Sequence, residues 1–295
     1  MRTPVFTGVC TALVTPFYES GRVDFDTFAK LIDYQISAKV AAICVCGTTG
    51  ESATLTADEQ ENLIRFAVQR ANGKLKIVAG SGSNCTSNAV EHSIRAQQAG
   101  ADALLIVTPY YNKASQSGLI SHYEHIASHT NIPIILYNVP SRTGMTFQAE
   151  TYAELARIPN INGVKEASGN FSLVTHTKEK CPNDFYIWSG NDDQTVPMMS
   201  LGASGVISVA ANIIPEIMTQ MCFHCLEGRY QTAANMQIEY TELLDALFIE
   251  VNPTPVKAAM EMLGMCSAYT RLPLCSPGSQ TLAKIKFALL EARLL

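Results

Sequence analysis

Long apolar runs are missing from this sequence. No stretch approaches the roughly 20 residues needed to span a bilayer. The opening segment, MRTPVFTGVCTALVTPFYESG, is broken by Pro4, Gly8 and Pro16 and has no charged start leading into unbroken apolar residues. It does not read as a signal peptide, so a cytoplasmic protein with no membrane partner is expected. Positive charge is also scarce. Lys and Arg number 21 against 26 Asp and Glu, a net charge of −5 with no basic run. Nucleic acid requires a basic face and is not an expected partner. No G-x-G-x-x-G opens a helix after the first strand pattern, which argues against a doubly wound dinucleotide-binding sheet. Repeats, low-complexity tracts and flexible linkers are absent as well.

Metal-binding patterns are no richer. The nine cysteines form no dense framework, and Cys44 and Cys46 in AAICVCG read as small core residues in a reducing compartment. The single C-x-x-C, Cys222 and Cys225, has no second pair to complete a four-ligand site. Buried or helix-surface thiols are the better reading there. His122, His125 and His129 follow i, i+3, i+7 spacing, but no carboxylate cluster stands beside them. They are expected to form a solvated stripe on an outer helix, and no metal site is predicted.

What the sequence does contain is core. Of its 295 residues, 47% are hydrophobic and 16% charged, enough for a barrel of roughly 200–250 residues with an extension. Short β-rich runs alternate with helical patterns eight times. The runs are GVCTALVT (8–15), AAICVCG (41–47), LKIVAGSG (75–82), ADALLIVTP (101–109), PIILYNV (133–139), INGVKEA (161–167), FYIWSG (185–190) and GVISVA (205–210). Asp24 is a candidate N-cap. Thr56 and Glu59 have capping-box spacing, with Gly73 as the stop. The pattern predicts an α/β fold, a (β/α)8 TIM barrel over 1–228. A C-terminal helical region, 229–295, is expected to pack on it in one compact unit.

Barrel enzymes place their chemistry at the C-terminal ends of the strands. Those ends read GTTGES (47–52), TPYYN (108–112), YNVPSRTG (137–144), KEASG (165–169) and SGND (189–192). Turn chemistry accounts for Asn, Asp, Gly and Ser at such places, but not for three tyrosines and a lysine embedded in a strand. An ammonium is costly to bury unpaired, and adjacent Glu166 points to the opposite face of a strand. A lysine that enters an apolar barrel mouth without a carboxylate partner is a candidate nucleophile. A free amine can attack a ketone to form a Schiff base that acts as an electron sink without metal or organic cofactor.

The ordered motifs GTTGES, TPYYN, YNVPSRTG, GVKEASG and GVISV, with TALVTPF before them and NPTPVK and RLPL after, cover essentially the whole chain. They resemble the dihydrodipicolinate synthase family of pyruvate-dependent class I aldolases and lyases. The resemblance implies condensation of pyruvate with L-aspartate 4-semialdehyde to 4-hydroxy-tetrahydrodipicolinate, a step of diaminopimelate and lysine biosynthesis, with no cofactor. It implies Lys165 as the imine-forming residue and Tyr137 as proton shuttle, in a relay with Thr48 and Tyr111. Tyr111 would cross a tight dimer interface, which implies a homotetramer built as a dimer of tight dimers. Thr49 would join Thr48 in holding the pyruvate carboxylate, and Arg142 would receive the second substrate's carboxylate. Gly190 and Ile207 would line the pyruvate pocket.

Related aldolases for N-acetylneuraminate or sugar acids share the lysine and the tyrosine of YNVP. Sialate lyases resemble GSTGE where this chain has Thr48–Thr49, and they lack an arginine in the register of Arg142, so the synthase is the expected activity. A barrel that binds ligand without turnover is the alternative of another class. Members inhibited by lysine share Ser52, Ala53, Asn84 and Tyr110. Here, however, Asn88 stands in place of a glutamate, and Ala57 and Gln60 in place of histidines. Weak or absent lysine feedback is therefore expected.

Overall fold

The computed structural model describes residues 1–295. Its eight strands are β1 (Gly8–Ala12), β2 (Ala42–Val45), β3 (Lys76–Gly80), β4 (Ala103–Val107), β5 (Ile134–Asn138), β6 (Ile161–Glu166), β7 (Tyr186–Ser189) and β8 (Gly205–Ser208). All neighbours are parallel, and β8 returns to β1 to close the barrel. Each strand lies inside its expected apolar run and is shorter, and residues just past the strand ends, such as Leu13, Ser81 and Thr108, still donate their N–H groups to the neighbouring strand. Both faces of these strands are covered, so they read as near-continuous apolar segments instead of alternating ones. Inward residues such as Cys10, Ala42, Ile135, Trp188 and Ile207 form the barrel interior, and a larger apolar layer lies between strands and helices. Phe6 stacks on Trp188 at 5.0 Å and accepts a 3.2 Å bond from its indole through the backbone carbonyl.

The helix signals behave as their chemistry demands. Asp24 accepts from Thr27 N at 3.0 Å and caps the helix Phe25–Ser37. Thr56 and Glu59 form both halves of a capping box on Ala57–Ala71. That helix ends one residue earlier than Gly73 suggests, with Asn72 already left-handed at φ 44°. Asparagine tolerates this conformation better than most residues. Beyond residue 228 come the helices Tyr230–Glu239, Thr241–Ala246, Thr254–Met262 and Ser279–Glu291. No helix is long and apolar enough to cross a membrane. Cys222 and Cys225 sit on Pro215–Leu226 with their thiols buried in the apolar layer.

One expectation fails. His122 is not solvated; it is buried on the packed stripe of Gln116–Ala127 with Leu119, Tyr123 and Ile126, and its Nδ1 lies 2.9 Å from the Thr86 hydroxyl. Only His125 and His129 face solvent, with ring centroids 4.6 Å apart. Burial, with a smaller push from His125, holds the His122 imidazole down at about 4. An unfolded histidine titrates near 6.5. Between those values the unfolded chain binds a proton that the native chain does not, so native stability falls as pH drops through that window. His122→Gln, which keeps a polar partner for Thr86, is expected to remove about 2 kcal/mol of that acid-side loss. Urea unfolding at pH 7 and pH 4.5 measures it; an unchanged difference in the variant would place the acid sensitivity elsewhere.

Candidate active site

Strands β5 and β6 carry the central pair. Tyr137 and Lys165 are registered partners on the inner face, and Lys165 Nζ lies 4.4 Å from the centroid of the Tyr137 ring. Lys165 is only 5% exposed. Glu166 offers it nothing, because that carboxylate faces outward to Asn138, Tyr152 and the Ser168 backbone. On the next strand, a methyl group added at Gly190 would fall 2.6 Å from Ala167 Cβ and 3.1 Å from Lys165 Cε. Glycine there leaves space beside the amine that no other residue would. Ile207 on β8 belongs to the same interior cluster as Tyr137. Burial pushes the nearby Cys44 thiol up to about 11 and raises Cys10 further. Thiols kept protonated are poor nucleophiles, so the lysine has no competitor.

The turn after β2 stands at the same end of the barrel, since all strands run parallel. Glu51 N donates to Thr48 O at 3.1 Å and Ser52 N to Gly47 O at 3.3 Å. The backbone N–H groups of Thr48 and Thr49 donate to no atom of the chain, so two adjacent donors are free for an anion. Arg142 stands on the short helix Pro140–Thr143 that follows β5. Thr48, Arg142, Tyr110 and Val139 line one cleft of about 550 Å³. Two donor groups therefore face one cleft, an arrangement suited to a ligand, or two ligands, bearing carboxylates.

Tyr111 is not gathered into this cleft. It is 90% exposed, holds a left-handed backbone at φ 70°, and makes no hydrogen bond to Thr48 or Tyr137 within the chain. The residues of the suspected lysine site, Ser52, Ala53, Asn84, Asn88 and Tyr110, line the same cleft as Thr48. Gln60 reaches into it and donates Nε2 to Ser52 O at 3.0 Å.

Sequence reasoning missed what fastens this mouth. Asn252 donates Nδ2 to Thr49 Oγ1 at 2.9 Å, and its carbonyl accepts from Arg142 at 3.3 Å. Lys257 has no exposed side-chain surface. Its Nζ donates to Glu51 at 2.7 Å and to Thr15 O at 2.9 Å, and lies 4.6 Å from the centroid of the Phe17 ring. Arg271 donates its backbone N–H to Glu51 and its guanidinium to Glu59 and Gly21 O. The C-terminal region thus holds the GTTGES turn from behind. A readable signal existed in TPVKAAMEM, where Lys257 sits among apolar residues much as Lys165 does.

The chain matches the model of the Dihydrodipicolinate synthetase family over residues 5–292. A 4-hydroxy-tetrahydrodipicolinate synthase of Alkaliphilus oremlandii is 48% identical over 270 residues, 92% of this chain and 93% of the relative. Among solved structures, dihydrodipicolinate synthase from Aquifex aeolicus has a TM-score of 0.96 at 42% identity, covering 98% of this chain and 99% of that one. A further relative from Cyanidioschyzon merolae, solved with lysine bound, has a TM-score of 0.96 at 39% identity, covering 99% and 100%.

Proposed function

The chain belongs to the dihydrodipicolinate synthetase family, and on that footing we propose that it is a 4-hydroxy-tetrahydrodipicolinate synthase joining pyruvate to L-aspartate 4-semialdehyde. Lys165 Nζ attacks the ketone carbon of pyruvate, and loss of water leaves an imine. The pyruvate methyl group then gives up a proton, and the resulting enamine carbon attacks the aldehyde of the second substrate. That substrate's amine displaces Lys165 from the former ketone carbon, closing the ring and freeing the enzyme. A protonated amine leaves and water must leave before it, so each step needs a proton carrier. Tyr137, with Thr48 and Tyr111 of a second subunit in a homotetramer, is assigned that role. Thr48 and Thr49 hold the pyruvate carboxylate, Arg142 the carboxylate of the semialdehyde, and Gly190 and Ile207 shape the pocket. No cofactor is required by this route.

The observation that carries the proposal is a buried lysine without a carboxylate partner, registered beside a tyrosine at the mouth of the barrel. Incubation with pyruvate and borohydride is expected to fix one pyruvate-derived adduct on Lys165. L-aspartate 4-semialdehyde is expected to outperform N-acetylmannosamine as acceptor. An adduct elsewhere, or the reverse preference, defeats the reading. Free lysine is expected to inhibit weakly in the same assay, because Asn88 cannot supply a carboxylate for its ammonium. A lost charge-assisted bond costs ~1.5–3 kcal/mol, tenfold or more in affinity. Inhibition at sub-millimolar lysine contradicts this.

A further inference from the structure

The aim of Lys165 into the barrel depends on one extra residue in β6. Ile134 pairs with Ile161, but Ile135 pairs with Gly163, so Asn162 has no partner on β5 and forms a bulge. Such a bulge shifts the phase of every residue that follows. Without it, Tyr137 would pair with Val164, and Lys165 would join Asn138 on the outer face. The bulged residue is itself tied down. Asn162 accepts from Val5 N at 3.2 Å and donates to Thr3 O at 2.8 Å.

A second feature, at the other end of the strand, holds the shifted phase. Asn138 and Glu166 are the next registered pair after Tyr137 and Lys165, and their side chains meet on the outer face. Asn138 Nδ2 lies 3.0 and 3.1 Å from the two Glu166 oxygens. Tyr152 OH donates to the same carboxylate at 2.8 Å and Ser168 N at 2.8 Å. Tyr152 is fully buried between Phe147 and Phe185, so it fixes where the carboxylate must lie. A one-residue slip would carry Glu166 into the apolar barrel interior and strand all of these donors.

We propose that Glu166, gripped by Asn138 and Tyr152, is a positioning residue for the reaction: it locks β5 and β6 in the bulged register that sets Lys165 beside Tyr137. It faces away from the cleft and takes no part in proton transfer. The proposal rests on the Schiff-base reading above. It is tested by exchanging the partners. Glu166→Gln leaves one oxygen for donors that used two and turns an amide NH2 toward Asn138 Nδ2. Asn138→Asp sets two carboxylates together, and the double exchange reverses the bond so that position 166 donates to a carboxylate at position 138. Displacement of a reacting group by about 1 Å costs on the order of 10²-fold. Each single variant is therefore expected to form the borohydride-trapped pyruvate adduct roughly 10–100-fold more slowly per folded molecule. The double variant is expected to recover most of that rate. A purely structural role predicts lower urea midpoints with the wild-type adduct rate, and that result overturns the proposal, as does a folded double variant without recovery. Should a single variant fail to fold, Tyr152→Phe removes one grip only, and its adduct rate decides in the same way. Absence of any adduct on the wild-type chain brings down the Schiff-base reading itself, whereas equal rates in wild type and variants bring down the register lock alone.

Discussion

Lys165→Ala is expected to fold normally and to lose turnover by on the order of 10⁴-fold or more, the scale seen when a covalent nucleophile is deleted. Folding is spared for a physical reason. Lys165 forms no ion pair with a carboxylate; buried Asp192, which feels its charge, keeps the backbone N–H groups of Val209 and Ala210, and the remaining pocket is lined by Tyr137, Gly190 and Ile207. Lys165→Arg sharpens the test. A guanidinium keeps positive charge at the barrel mouth but stays protonated and cannot attack a ketone. If the lysine acted only by attracting the pyruvate carboxylate, the arginine variant would retain activity; a covalent role predicts that both variants fail. The assay is kcat/KM with pyruvate and L-aspartate 4-semialdehyde, accompanied by urea midpoints. Retention of more than about a tenth of the activity by either variant would sink the covalent assignment; on the scale above, the expected residue is nearer one part in 10⁴.

Lys257→Met should do the opposite, damaging stability first. Removing one member of a buried ion pair leaves the other uncompensated, which costs about 3–5 kcal/mol. Glu51 would keep only the Arg271 backbone N–H, and Thr15 O would lose its donor as well. Glu51 holds a left-handed backbone at φ 56°, a conformation costly for a residue with a side chain, so the loss falls on a turn that already carries strain. Pairing the change with Glu51→Gln removes the stranded charge, and the double variant is expected to regain a large part of the loss. Chemical unfolding of the two single variants and the double variant measures this coupling. Additive effects would show that the two groups stabilise the fold independently.

These two lysines also show how far the sequence could be read. Strand order was legible because a parallel barrel buries both strand faces, leaving apolar runs separated by helical periods. Lys165 and Tyr137 stood out as polar residues inside such runs, and the capping residues Asp24 and Thr56 gave the helix starts. What stayed hidden is long-range or depends on phase. Asn252 and Thr49 meet across 203 positions, and Lys257 and Glu51 across 206; no local pattern predicts either pairing. The bulge at Asn162 leaves no mark in INGVKEA beyond the glycine that follows it. There a methyl group would fall 2.0 Å from Tyr186 O. His122 was misread because histidine spacing gives a helix face but not which part of that face another helix covers.

The union of Glu51 with Lys257 also has a consequence in time. At ~5–20 residues per second on the ribosome, the 206 positions between them represent roughly 10–40 s of synthesis. Throughout that interval the nascent barrel carries a carboxylate whose cation has not yet been made. The GTTGES turn therefore cannot reach its final form while the last part of the chain is still being added. A message truncated before residue 257 would encode all eight strands but not the cation that Glu51 needs.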